Sequence, residues 1–219
     1  MPELRPDLLG TVAVVTAMGL VPFVVATATP FLKVSVVLFI LRHGLGLQQT
    51  PPAIVLYGLA VVITAFVSAP LIGEIQARLA SPNFDIASTG GFVRAYEAVA
   101  EPLRAFLSSH AGERERDLLM EAAGRVWPEP AAARVGRDDF GVLLPAFVTS
   151  ELRRAFQVGF LLYLPFVVID LVVTAVLMAM GMSQVQPNTI AVPLKLFLFV
   201  AVEGWSLLVR GVVLGYAAA

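Results

Sequence analysis

Lys33, Asp170, Lys195, Glu203 and Arg210 stand out because each interrupts a stretch that is otherwise apolar. A charge at the centre of a bilayer costs from ~3 to over 10 kcal/mol, so such side chains must face protein, water or one another. Around a continuous helix Lys195 and Glu203 would lie about 80° apart, and Glu203 and Arg210 about 20°, which puts all three on one stripe. Two uses of that stripe are open. The charges can form interhelical ion pairs that fix an assembly, or they can line an aqueous path. Gly204, Gly211 and Gly215 belong to the same segment, the last two as GxxxG, a spacing that lets a neighbouring backbone approach closely.

Bond-making chemistry finds little support. No GxxxxGK[ST] phosphate loop occurs; Gly44 and Gly46 in RHGLGLQQTPP lack the lysine, so ATP hydrolysis is not expected. His43 and His110 are the only histidines, far apart and in regions of opposite character, and no HExxH site or Ser-His-Asp relay can be built from them. Both read as loop or surface residues. GxSxG is absent. With no cysteine, disulfide scaffolds, thiolate zinc sites, iron–sulfur clusters and thiol nucleophiles are excluded. A membrane hydrolase is therefore a weak rival. A net charge of −1 gives no basic surface for nucleic acid.

The elements that carry these charges are those of a membrane protein. In 219 residues, 58% are apolar and 14% charged, far from the balance of a soluble domain. Leu8 to Leu32 and His43 to Gly73 contain no Asp, Glu, Lys or Arg, and each exceeds the ~20 residues that a spanning helix needs. Between Glu74 and Asp139 lie 19 of the 31 charged residues, so that region faces water. Two further apolar stretches follow, Ala155 to Met182 and Thr189 to Ala219. The resulting division is an N-terminal hydrophobic hairpin over 1–73, a polar and mainly helical insert over 74–140, and a C-terminal hydrophobic hairpin over 141–219. Pro30, Pro70, Pro165, Pro187 and Pro193 interrupt or bound the apolar segments. Bent helices buried in an assembly would satisfy the carbonyls that proline frees, whereas lipid would not.

In the insert, Phe92, Tyr96, Val99, Leu103 and Phe106 recur at steps of four and three, which predicts one helical face beginning near Thr89-Gly90-Gly91. Pro102 either kinks that helix or starts another. A second helix is predicted over Arg114 to Val126, with Leu118, Leu119, Ala122 and Val126 on its packed side. Both stripes imply packing, against the chain's own hairpins or against a neighbouring subunit. At the start, MPELRPD is net negative and the apolar run that follows exceeds a secretory core, which argues against cleavage after Ala26-Thr27-Ala28.

Leu143 to Val173, LLPAFVTSELRRAFQVGFLLYLPFVVIDLVV, resembles the signature region of the type III secretion export-gate subunit SctR and of its flagellar counterpart FliP. The likeness extends to FLKVSVVLFILRHGLG from Phe31, TPPAIVLYGLAVVIT from Thr50, EPLRAFLSSHAGERERDLLMEAA from Glu101 and VLMAMGMSQVQPNTIAVPLKLFLFVAVEGW from Val176. Flagellar members carry a signal peptide, and MGMSQVQP is similar to the virulence or symbiosis members, so the injectisome branch is favoured.

The resemblance implies a pore rather than an enzyme, with no cofactor or metal. Members assemble as a homo-oligomer, a pentamer, with the smaller subunits SctS and SctT into a helical cone within the secretion basal body in the bacterial inner membrane. Unfolded secreted proteins pass through it, with energy supplied elsewhere, through an ATPase complex and the proton motive force acting with SctV. The fold class expected is thus an all-α membrane protein of kinked hydrophobic hairpins. Where flagellar relatives have a run of methionines, this chain has Met182, Ser183 and Gln184, which become the candidate pore seal; a thioether can mould around a passing chain. Met178 and Met180 are expected to pack along the helix. Pro30 departs from the family pattern and is expected to sharpen the bend before Lys33. Positive residues near the span ends would place the insert in the cytoplasm, whereas the family places it in the periplasm; the family reading is preferred, since charge governs only loops up to about 60 residues. The rival class, a small-solute transporter or channel, predicts halves related by a repeat, and none is visible.

Overall fold

The computed structural model describes residues Val15, Thr16, Gly19, 22–80 and 89–217, with the side chains of 89–92 excepted. The reading of the amino terminus and the first part of the run from Leu8 lie outside these residues. Among those described, the chain is helical and contains no strand. Helix α1 (Pro22–Ala28) leads into α2 (Phe31–Gly44), followed by α3 (Ala53–Leu79). The insert contributes α4 (Thr89–His110), α5 (Glu113–Val126) and the short α6 (Glu129–Ala132). Then come α7 (Phe140–Ala179), α8 (Asn188–Ala201), α9 (Gly204–Val213) and a 3₁₀ turn over Leu214–Tyr216.

Local sequence explains most of the boundaries. Pro52 and Pro187 precede α3 and α8, where a missing N–H costs nothing. Glu113 and Glu115 open α5 and Arg125 closes it, in the sense that complements the helix dipole. At the end of α7, Gly181 takes φ +70°, its N–H donating to the Met178 carbonyl while the Met182 N–H reaches that of Leu177. This paired closure is available to glycine without strain, and it ends α7 at the candidate seal.

Among the described residues two helices, α3 and α7, are long and apolar enough to cross a membrane, and the count rises to four if each of two bent pairs is one span. The first pair is α1 with α2, bent by 74° at Thr29-Pro30, where the sharpened bend was expected. The second is α8 with the segment Gly204–Tyr216, bent by 65°. Pro70, Pro145, Pro165 and Pro193 lie inside continuous helices. Pro102 does too, so α4 is one helix and the alternative of a second start is set aside.

Helix α2 is the innermost element. Val34, Val37, Leu38 and Leu41 pack with Leu56 and Ile63 of α3, Ala155 and Phe166 of α7, Phe199 of α8, and Leu208 and Val212 of α9. The insert docks on its own chain, through Leu107, Leu143, Ala146 and Phe147, which join α4 to the first turns of α7. Its packed faces differ from those the periodicity predicts. Leu103 and Phe106 do face α7, but Tyr96 is 60% exposed and Leu107 takes the buried place, because only the last turns of α4 reach α7. On α5, Leu118 and Val126 point outward while Ala123, Glu115 and Arg116 are buried. A charged group that finds partners displaced the leucine from the interface.

Candidate functional site

A buried ionic centre lies where α2, α4, α7 and the C-terminal turn meet. Lys33 enters from the first turn of α2, just past the Pro30 bend, and is 1% exposed. Glu151 of α7 is fully buried. One carboxylate oxygen accepts from Arg154 Nη1 at 3.0 Å, a pairing that the helix itself provides at i, i+3. The other accepts the phenolic O–H of Tyr216. Arg154 Nη1 also donates to the His110 carbonyl, 2.8 Å away, at the end of α4. The Lys33 ammonium sits 4.0 Å from the centre of the Tyr216 ring, within the range of a cation–π contact. Burying charges without partners would cost several kcal/mol each. Here a carboxylate, two cations and an aromatic face answer one another.

Gly215 makes the approach possible. A Cβ there would lie 2.9 Å from Lys33 Nζ. Gly204 is tighter still, since a Cβ would stand 2.1 Å from the Phe199 ring, whereas at Gly211 it would meet only ordinary contact with Val158 at 3.9 Å. Two of the three glycines on the last segment are therefore close-packed within the chain itself.

The charge stripe of that segment does not exist as a stripe. α8 ends at Ala201 and α9 begins at Gly204, with Glu203 between them in the left-handed region at φ +52°. The bend rotates the two halves apart, so the angular arithmetic of one continuous helix fails. Lys195 instead turns back to α7 and pairs with Asp170 Oδ2 at 2.6 Å. Lys195 is buried, and the second oxygen of Asp170, Oδ1, is buried without a hydrogen-bond partner among the described residues. Glu203 and Arg210 are exposed and share a groove with Trp205, Ser206 and Leu207.

The loop between α7 and α8 presents Met182, Ser183 and Gln184 outward, with Val185 anchoring it against Val173, Leu177 and Ala191. Met178 and Met180 were expected to pack along the helix; within this chain they are 72% and 66% exposed. His43 is exposed at the end of α2, but His110 is buried, contrary to its reading as a loop or surface residue. Its ring lies tilted between those of Phe106 and Tyr216. Among the described residues, no three His, Asp or Glu side chains are grouped as a metal site would require.

Residues 14–212 match the FliP family. The chain belongs to that family. Among its relatives, the probable translocation protein y4yL of Sinorhizobium fredii is 49% identical over 99% of this chain and 97% of its own. The hypersensitivity response secretion protein HrcR of Ralstonia nicotianae is 42% identical, over 94% and 95%. The Yop proteins translocation protein R of Yersinia pestis is 39% identical, over 96% and 97%. These relatives place this FliP-family chain with the type III secretion export apparatus, on the injectisome branch.

Glu151 and Arg154 were missed as site residues because the apolar stretch that was searched starts at Ala155, just past both, and Tyr216 because it carries no charge to mark it within its own stretch. The available signal was Glu151 and Arg154 at i, i+3, on the last turn before the apolar stretch from Ala155 to Met182.

Proposed function

We propose that this chain is a core subunit of the injectisome export gate, joining further copies of itself, as a pentamer, and SctS- and SctT-like subunits to form the inner-membrane entry pore for unfolded secreted proteins, next to an SctV-like protein. The observation that carries this reading is the break at Glu203. Non-helical backbone at membrane depth is tolerated only where protein buries it or water lines it, and an exposed Glu and Arg beside it make the same demand. The 74° bend at Pro30 adds a second break of that kind. A helix facing lipid alone would be straight and uncharged there.

Within that assembly Met182, Ser183 and Gln184 form the seal, and Asp170, Glu203 and Arg210 face neighbouring subunits. Co-expression with SctS- and SctT-like proteins should yield one large complex on native gels containing both; recovery of this chain alone as a monomer would refute the reading. Replacing Met182, Ser183 and Gln184 together by glycine should keep the complex and let small dyes cross the inner membrane. Unchanged permeability would move the seal to another subunit.

The insert lies on the periplasmic side in this proposal. Cysteines at Gly124 and Gln48 test it, the first being a place where an added Cβ meets nothing and the second an exposed loop residue. A membrane-impermeant maleimide applied to intact cells should label Gly124→Cys and spare Gln48→Cys. The reverse pattern would put the insert in the cytoplasm.

A further inference from the structure

The C-terminal turn does more than end the chain. α9 buries Leu208 and Val212 in the core shared with α2, α3 and α7. The narrower 3₁₀ turn then swings Tyr216 inward, onto groups drawn from three other elements. Its hydroxyl donates to Glu151 of α7, its ring lies 4.0 Å beneath the Lys33 ammonium of α2, and its edge packs on His110 of α4 with ring centres 5.3 Å apart. Gly215 leaves the room that Lys33 fills. Both residues lie past residue 212, where the family match ends.

We propose that Tyr216 is a clasp that locks the last helix to the polar insert through the Lys33–Glu151–Arg154 centre, so that the two regions open and close together. The reason is connectivity. Arg154 bridges Glu151 to the His110 carbonyl, and His110 is the last residue of the insert's first helix. Tyr216 touches both ends of that bridge. Without its hydroxyl the carboxylate keeps Arg154 but loses a charge-assisted hydrogen bond, and the turn loses a polar tie that holds it inward.

Hydrogen–deuterium exchange on the full-length protein in detergent tests the clasp. Tyr216→Phe should speed exchange about tenfold in residues 208–216 and also in 107–112, with 188–199 unchanged, since one hydrogen bond to a charged group contributes on that order. Tyr216→Leu, which also removes the ring beneath Lys33 and beside His110, should exceed it in both places. Glu151→Gln combined with Tyr216→Phe should be no worse than the more severe single change, because both break one bond. Unchanged exchange in 107–112 for Tyr216→Phe would overturn the proposal, as would equal acceleration in every helix. If Glu151→Gln does not accumulate, the Phe and Leu variants decide alone.

Discussion

The two charged regions of the C-terminal half are built on opposite terms. Around Glu151 every charge is answered inside the chain, by Arg154, Lys33 and Tyr216, and Glu151 and Lys33 are almost wholly enclosed. Further along, Lys195 has its partner in Asp170, but Asp170 keeps one oxygen without a donor among the described residues, and Glu203 and Arg210 stand exposed on an apolar segment. In the first region the charges find their partners within one subunit. We propose that the second is completed by neighbouring subunits, so that the contrast separates what folds the subunit from what joins subunits together.

The contrast is broken most severely at Glu151. Glu151→Ala leaves Arg154 and Lys33 facing each other with no anion between, and should lower the stability of the detergent-solubilised protein by about 3–5 kcal/mol. Thermal unfolding measures it, and a loss under 1 kcal/mol would mean the centre is not the internal keystone described here. Lys195→Met should cost less, about 2–3 kcal/mol, because Asp170 is 39% exposed and regains some solvent. Adding Asp170→Asn should recover most of that loss; no recovery would mean that the pair contributes by packing alone.

Glycines test how far the last segment is packed against its own chain. Gly204→Ala drives a methyl into the Phe199 ring and should cost about 1–2 kcal/mol, while Gly211→Ala, with only Val158 nearby, should stay within about 0.5 kcal/mol. Equal effects would mean that the Gly204 contact is easily relieved. Glu203→Gln and Arg210→Gln sharpen the comparison from the other side. In the isolated subunit the melting temperature should not move, while incorporation into the complex on native gels should fall. A drop in subunit stability would place these charges with the first region.

Membrane character and the helical class were legible in the sequence because hydrophobicity is a property of composition along the chain, and a 25-residue uncharged run admits few other readings. The bend before Lys33 was legible too, since Pro30 acts through its own ring on the adjacent backbone. Family membership needed no structure, because the matching run from Leu143 to Val173 lies in consecutive residues. The insert's exact faces were not legible: periodicity registers which residues are apolar, but Leu107 is buried and Tyr96 exposed according to where α7 happens to run. Nor was the pairing of the charges. A helical-wheel argument presumes an unbroken helix, and Glu203, an ordinary residue in a left-handed conformation, breaks it without a proline to announce the fact. Lys195 thereby meets Asp170, 25 residues away in sequence, and Glu151 meets Tyr216 across 65. Such partners are chosen by the three-dimensional path of the backbone, so only the tertiary structure decided which charges the chain satisfies by itself and which it leaves for others.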